Sequence, residues 1–293
     1  MKYTQQPLRA NGASPAQTIA IIASAMLFFV SAFGQSGAEA ENYTNEFGTQ
    51  LTQGGEAVGY INAGDYLGFD NFFLPPEFDS IEIDLAISPG ASNPDDRIIL
   101  TVGGQAGLKL ASLKPASTGG WNNFETQTFN ASVVSIYGGN TVDFYFNFEG
   151  SGYIADLDAF RFIKEAENYD AQSGTQLVEN GDAVGYINAG DNFGYNDFTL
   201  PDDFDTIEIN LAVPAYQNNS DDRIILTWGG PQGLKLAYLK PNATGGWSNY
   251  EKQQFNVGGL EAFAGSTADL YFTFEGTGYI VNIESFRFLK SGQ

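Results

Sequence analysis

IEIDLAI occupies Ile81–Ile87, and IEINLAV occupies Ile207–Val213. In both, an apolar side chain returns at every second position, the period of a strand with one face in a core and the other toward water. The interval between them is 126 residues (207 minus 81), and the same shift carries other stretches onto one another. EAENY at Glu39 returns at Glu165, AVGYINAGD at Ala57 returns at Ala183, and DDRIILT at Asp95 returns at Asp221. GLKLA at Gly107 returns at Gly233, and FRF at Phe160 returns at Phe286. Solenoid repeats run about 20–50 residues, so this longer period marks a duplicated domain of ordinary size. Lys164 leads directly into Glu165 with no Pro or Gly/Ser linker, which predicts two closely docked copies.

Period two dominates inside each copy. Val142, Phe144, Phe146 and Phe148 alternate with polar residues, and Ala268, Leu270, Phe272 and Phe274 repeat the pattern. Further strands are expected at Arg97–Val102, Leu108–Lys114, Phe124–Asn130 and Asp156–Ile163, between clusters of Gly, Pro, Asn and Asp. No stretch of the mature chain sustains a helical period. The expected fold is all-β: two antiparallel β-sandwich domains of jelly-roll type in tandem, spanning residues 35–164 and 165–293.

The N-terminus reads as a secretion signal over residues 1–34. Lys2 and Arg9 form a basic leader, Ile19–Phe33 is apolar, and small residues follow in Gly34–Ala40. The apolar stretch is short for a membrane span of about 20 residues, so cleavage to an extracellular or periplasmic protein is expected, with no membrane span in the mature chain. The whole chain carries 35 acidic and 13 basic residues, net −22, with no His and no Cys. Such charge excludes nucleic acid, whose phosphates need Lys and Arg, and disfavours polyanionic sugars. Without Cys, stability must come from packing or metal rather than disulfides.

TGGW stands at Thr118–Trp121 and again at Thr244–Trp247, placing a Trp in a glycine-bearing loop of each copy. EAENY, then GYINAGD, TGGW and a final strand ending in FRF, in that order and twice, resemble carbohydrate-binding module family 6. The resemblance covers Glu39–Lys164 and Glu165–Lys290. It implies a β-sandwich whose edge loops clamp a sugar ring between Tyr and Trp above an Asn that bonds hydroxyls. By motif, the clamp is Tyr60 with Trp121 in copy one and Tyr186 with Trp247 in copy two. The basal position falls on Asn282 in copy two but on Asp156 in copy one, a departure: ionised Asp accepts hydrogen bonds but cannot donate them. The chemistry is apt, because a flat aromatic covers the C–H face of a pyranose while a polar base reads its rim. The alternative is that each Trp folds onto the sandwich edge. Trp228 and Tyr238, where copy one has Val102 and Ser112, could widen an aromatic platform in copy two.

Glu39 and Glu41 flank Ala40 on an expected first strand, so both carboxylates would share a face and repel unless a cation lies between them. The family resemblance implies a structural calcium there, one per module, with Asp158 completing the set in copy one. In copy two the equivalent residues are Glu165, Glu167 and Glu284. Oxygen ligands without His or Cys suit calcium over zinc. A solvated edge, or pairing with Arg161 and Arg287, is the alternative.

Without His or Cys, Ser–His–Asp-type nucleophile chemistry is excluded, and the repeated carboxylates read as metal ligands rather than a glycosidase pair. The reading is a secreted, non-catalytic protein that binds polysaccharide, a neutral one by charge. The rival is an extracellular structural or adhesion subunit in which the sandwiches serve assembly. Self-association and an enzyme partner are both left open.

Overall fold

The computed structural model describes residues 36–291. The expected signal segment, 1–34, lies outside the described residues. Among them, no helix is long and apolar enough to cross a membrane.

Each copy is two facing antiparallel sheets. In copy one the first sheet joins Gln50–Thr52, Ala57–Asn62, Tyr153–Glu165, Ser80–Ala86 and Glu125–Asn130, with Gly37–Glu39 added to Tyr153–Glu165. The second joins Asn45–Phe47, Tyr66–Phe73, Thr141–Glu149, Arg97–Val102 and Leu108–Leu113. Copy two repeats both arrangements, with Thr206–Ala212 and Asn282–Leu289 at the centre of its first sheet. The alternating residues explain the layers. Ile81, Ile83 and Leu85 are fully buried, and so are Ile207, Ile209 and Leu211. Phenylalanines from opposite sheets interlock between them: Phe146 lies 4.8 Å from Phe160, and Phe272 lies 4.9 Å from Phe286. Each such buried ring contributes about 2–3 kcal/mol from removed apolar surface, and the tilted and edge-on contacts add to this.

Three expectations change in detail. The last strand of copy one is Tyr153–Glu165, longer than expected at both ends: Tyr153 pairs with Asn62, and Lys164 and Glu165 pair with copy two. Glu41 is not on a strand: the first strand stops at Glu39, and Ala40–Asn42 form a 3-10 turn that buries Ala40. Trp228 is no platform residue. It is 8% exposed and packs on Phe263 at the core's edge, whereas Tyr238 is exposed.

The copies are joined through backbone. Lys164 pairs with Phe286 and Glu165 with Ser285, merging the two first sheets into one of eleven strands. Side chains from both copies close the seam. Asp79 accepts from the Glu165 N–H and from Asn168 Nδ2, each at 2.9 Å, and pairs with Lys164 at 3.0 Å. Glu77 accepts from the Thr199 N–H at 3.2 Å. Glu82, nearly buried, is held by Arg161 of its own copy and by Lys252 of the other at 2.5 Å.

Candidate functional site

The repeated GYINAGD motif builds an exposed tyrosine on a constrained corner. Gly59 must be glycine because a Cβ there would sit 2.4 Å from Asp156 Oδ1, and a Cβ on Gly185 would sit 2.5 Å from Asn282 Oδ1. The next residues, Tyr60 and Tyr186, adopt the left-handed backbone region with φ of 57° and 56°, where a side chain other than Gly is costly. The motif itself holds that conformation. Asn62 Nδ2 donates to the Tyr60 carbonyl at 2.7 Å, and Asp65 Oδ2 accepts from the Asn62 N–H at 2.7 Å. Asn188 and Asp191 do the same around Tyr186. Both tyrosines are half exposed. Backbone strain of this kind clusters at binding sites, although Asn71 and Asp197, also equivalent in the repeat, take φ of 57° and 52° outside both clefts.

TGGW is equally determined. Thr118 is buried and bonds the end of the Ile81–Ile87 stretch in both directions. The Ile87 N–H donates to Thr118 Oγ1 at 2.8 Å, and the Thr118 N–H donates to the Ile87 carbonyl at 3.1 Å. Gly119 turns the chain at φ 94°, and Asn123 Nδ2 donates back to the Thr118 carbonyl. Thr244, Gly245 and Asn249 repeat the clasp. What it presents is Trp121 and Trp247, both half-buried.

These elements meet in two clefts. The first, about 320 Å³, is lined by Tyr60, Trp121, Tyr153 and Asp156, with Thr52, Gln53 and Asn122 on its rim. The second, about 300 Å³, is lined by Tyr186, Trp247, Tyr279 and Asn282, with Val178 and Glu179. All six residues singled out for sugar contact are thus gathered, three per cleft. Sequence reasoning missed a third aromatic in each. Tyr153 stands edge-on between Tyr60 and Trp121, at 6.1 and 6.3 Å. Tyr279 stands likewise at 5.8 Å from Tyr186 and 6.3 Å from Trp247. The signal was present: GSGY and GTGY end at these tyrosines, three positions before each basal residue.

The clefts differ at the base. Asn282 is buried and donates through Nδ2 to the Trp247 carbonyl at 3.0 Å, fastening the Trp loop from below. Asp156 cannot make that bond. Burial pushes its carboxyl up to about 6, partly offset by the Tyr60 N–H. At the rim, copy one bridges Gln53 Nε2 to Asn122 Oδ1 at 2.9 Å, and copy two bridges Ser248 Oγ to Glu179 Oε1 at 2.7 Å. Each cleft therefore holds one carboxylate: Asp156 at the base of the first, Glu179 at the rim of the second.

The expected calcium ligands lie away from the clefts, where the first and last strands of each copy meet. Among the described residues no three acidic side chains converge closely enough to coordinate an ion as they stand. Their electrostatics nonetheless suit a cation. Glu41 and Glu167, equivalent in the repeat, each bury one carboxylate oxygen with no hydrogen-bond partner. Burial, with Glu167, Asp79 and Glu284 adding to it, pushes Glu165 up to about 8. Burial, with Asp79, Asp182 and Glu284, pushes Glu167 up to about 7. Burial likewise raises Glu39, with Glu41 and Asp158 contributing, and raises Asp158 and Glu284. Arg161 and Arg287 do not neutralise these sets by pairing, since they are engaged by Glu82 and Asp84 and by Glu208.

Residues 39–164 and residues 165–290 each match the carbohydrate binding module (family 6). Among curated proteins, an endo-1,4-beta-xylanase A of Thermoclostridium stercorarium is 26% identical over 279 residues, 87% of this chain. The chain spans only 40% of that relative's length. Among solved structures, a beta-1,3-glucan binding CBM6 from Bacillus halodurans is 27% identical, with a TM-score of 0.38, covering 44% of this chain and 96% of its own. A family 6 module from Clostridium cellulolyticum in complex with xylose is 27% identical, with a TM-score of 0.37, covering 45% and 97%.

Proposed function

The chain belongs to carbohydrate-binding module family 6, twice over, and from that premise we propose that it is a secreted, non-catalytic protein that holds neutral polysaccharide in both clefts. The observation that carries this is the shape shared by the two copies: a half-buried Trp, a Tyr in a left-handed backbone conformation and a polar base, converging on one open space. Trp121 and Trp247 cover the apolar face of a pyranose. Tyr60 and Tyr186 close the opposite side, and Tyr153 and Tyr279 wall the end. Asn282 commits one amide hydrogen to the Trp247 carbonyl, which leaves its second amide hydrogen and its oxygen for sugar hydroxyls. Asp156 accepts through a carboxylate, which favours a ring offering a donor at that point.

A glycosidase needs two carboxylates roughly 5–10 Å apart across the sugar. Each cleft lining has one, which supports binding without hydrolysis. Net charge of −22 favours neutral over anionic polymers, the repulsion weakening with salt.

Calcium belongs to the same proposal as a structural ion, one per module. Glu39, Glu41 and Asp158 would hold it in copy one, and Glu165, Glu167 and Glu284 in copy two. Bound there, the ion neutralises carboxylates that burial and mutual repulsion otherwise keep unfavourable. The carboxylates themselves come from the first strand, the turn after it and the last strand, so holding them together ties the sheet shut.

The test is titration of the secreted form, with calcium, against neutral polysaccharides (xylan, β-1,3-glucan, mixed-linkage glucan) and a uronic acid polymer. Retention of a neutral polymer is expected. Tighter binding of the uronic acid polymer would overturn the ligand class.

A further inference from the structure

We infer that the two clefts engage two separate polysaccharide segments running in opposite directions, so that the chain cross-links glycan rather than gripping one strand twice. This rests on the sugar-binding reading of the clefts and adds how they are set against each other.

The last strands of the two copies, Tyr153–Glu165 and Asn282–Leu289, are equivalent in the repeat and pair antiparallel where they meet, at Lys164↔Phe286 and Glu165↔Ser285. Equivalent elements that run against each other are related by a half-turn perpendicular to the strands. The side chains identify the axis. Phe162 lies in the core of copy one, and Lys164, two residues on, points the same way. Lys164 pairs with Phe286 of the second core and sets its Nζ 5.2 Å from the Tyr195 ring centroid, also in that core. Both cores therefore lie on one side of the merged sheet, and the half-turn is about the sheet normal.

A half-turn about that normal reverses every direction in the plane of the sheet. Sugar chains have direction, from non-reducing to reducing end. A cleft with a flat Trp on one side and a hydroxyl-reading base fixes that direction. The clefts are built from equivalent positions, so whatever part of a seated chain's direction lies along the sheet is reversed between the first cleft and the second. They are also well apart. From Asp156 to Lys164 is eight steps along the strand and from Phe286 to Asn282 is four, which at about 3.3 Å per step gives roughly 40 Å. Both strands run from cleft toward junction, so the clefts sit at the outer ends. A continuous strand and the Glu82–Lys252 and Asp79–Asn168 contacts hold the two copies in this arrangement. Avidity on one extended chain requires both sites to engage it together, and is lost when geometry forbids that.

The test uses wild type, Trp121→Ala and Trp247→Ala, with soluble xylan and soluble β-1,3-glucan as probes. Calorimetry against short and long fractions of the retained polymer gives stoichiometry and affinity per cleft. A second assay asks whether protein bound to insoluble polymer captures the fluorescent soluble form. Expected are two long chains per molecule, affinity per cleft within about threefold of the short fraction, and capture by wild type. Capture should fall to background in either single variant, although each still binds one chain. One long chain per molecule, held about 100-fold or more tighter than by either single variant, would overturn the inference. One chain held by a single cleft, with the other silent, would overturn it too. Retention of neither polymer by any form would instead remove the sugar-binding reading beneath it.

Discussion

Tyr60 and Tyr186 show how much one residue's backbone can settle. Each follows a glycine that cannot carry a Cβ, so Gly185→Ala should drive a methyl into Asn282 Oδ1 and Val178. The expected cost is about 1–3 kcal/mol of stability, with loss of binding in the second cleft alone, read by thermal melting and titration of Trp121→Ala with and without the change. Asp156 gives a second prediction. Its folded carboxyl titrates near 6, above its unfolded value near 4, so the ionised form costs stability at neutral pH and the cost vanishes below about pH 4. Asp156→Asn should therefore stabilise by about 1 kcal/mol at pH 7, after discounting for solvent contact, by chemical denaturation. The motif residues were legible in sequence because their spacing repeats. Tyr153 and Tyr279 went unread: GSGY and GTGY also repeat, but only the fold brings their tyrosines against Trp121 and Trp247.

At the level of elements, alternation was sufficient for the central strands. Ser80–Ala86 lies where the period puts it, with Ile81, Ile83 and Leu85 in the core, while Arg97–Val102 reads as a short apolar run because Ile98 to Thr101 are buried on both faces. Alternation said nothing of Glu41, where the chain leaves the strand so that Ala40 can be buried in a 3-10 turn. Comparing the copies suggested Trp228 as a platform residue, but in the place of Val102 it is buried against Phe263. The inner strand Ser80–Ala86 carries Glu82 and Asp84, an unusual burden for a central strand. Arg161 answers both, and Arg287 answers Glu208 in the second copy. Removing the cation while leaving a buried carboxylate is costly, so Arg161→Met should destabilise by about 3 kcal/mol. Burial works against the charge on Asp84 and Glu208, but their arginine partners outweigh it and hold both below the ordinary carboxylate range. A depressed folded value gives stability above the unfolded pKa that is lost on acidification. Stability should accordingly fall as pH drops below about 4, and less steeply in the Asp84→Asn variant.

The whole molecule is two copies sharing one sheet. Duplication could be read from the 126-residue repeat and close docking from the missing linker, but the shared strand could not. Nothing in FRFIKEAENY says where one module's last strand becomes the next module's first. Because Lys164 and Glu165 complete both copies, the described residues should melt in a single transition, and a chain beginning at Tyr169 should lose much of its stability. Calcium should raise the midpoint and chelation lower it. An ion at a hundred times its dissociation constant contributes about 2.7 kcal/mol. Scanning calorimetry with and without chelator reads both effects. The structural-subunit alternative predicts concentration-dependent assembly without sugar by light scattering.

The most direct measurement is the binding isotherm of the doubly substituted chain, Trp121→Ala with Trp247→Ala, beside wild type on the neutral polysaccharide that wild type retains. If the clefts bind sugar, wild type shows two sites and the double variant none, while both keep the same calcium-dependent melting temperature. A double variant that binds like wild type would place the sugar elsewhere and leave both tryptophans as packing.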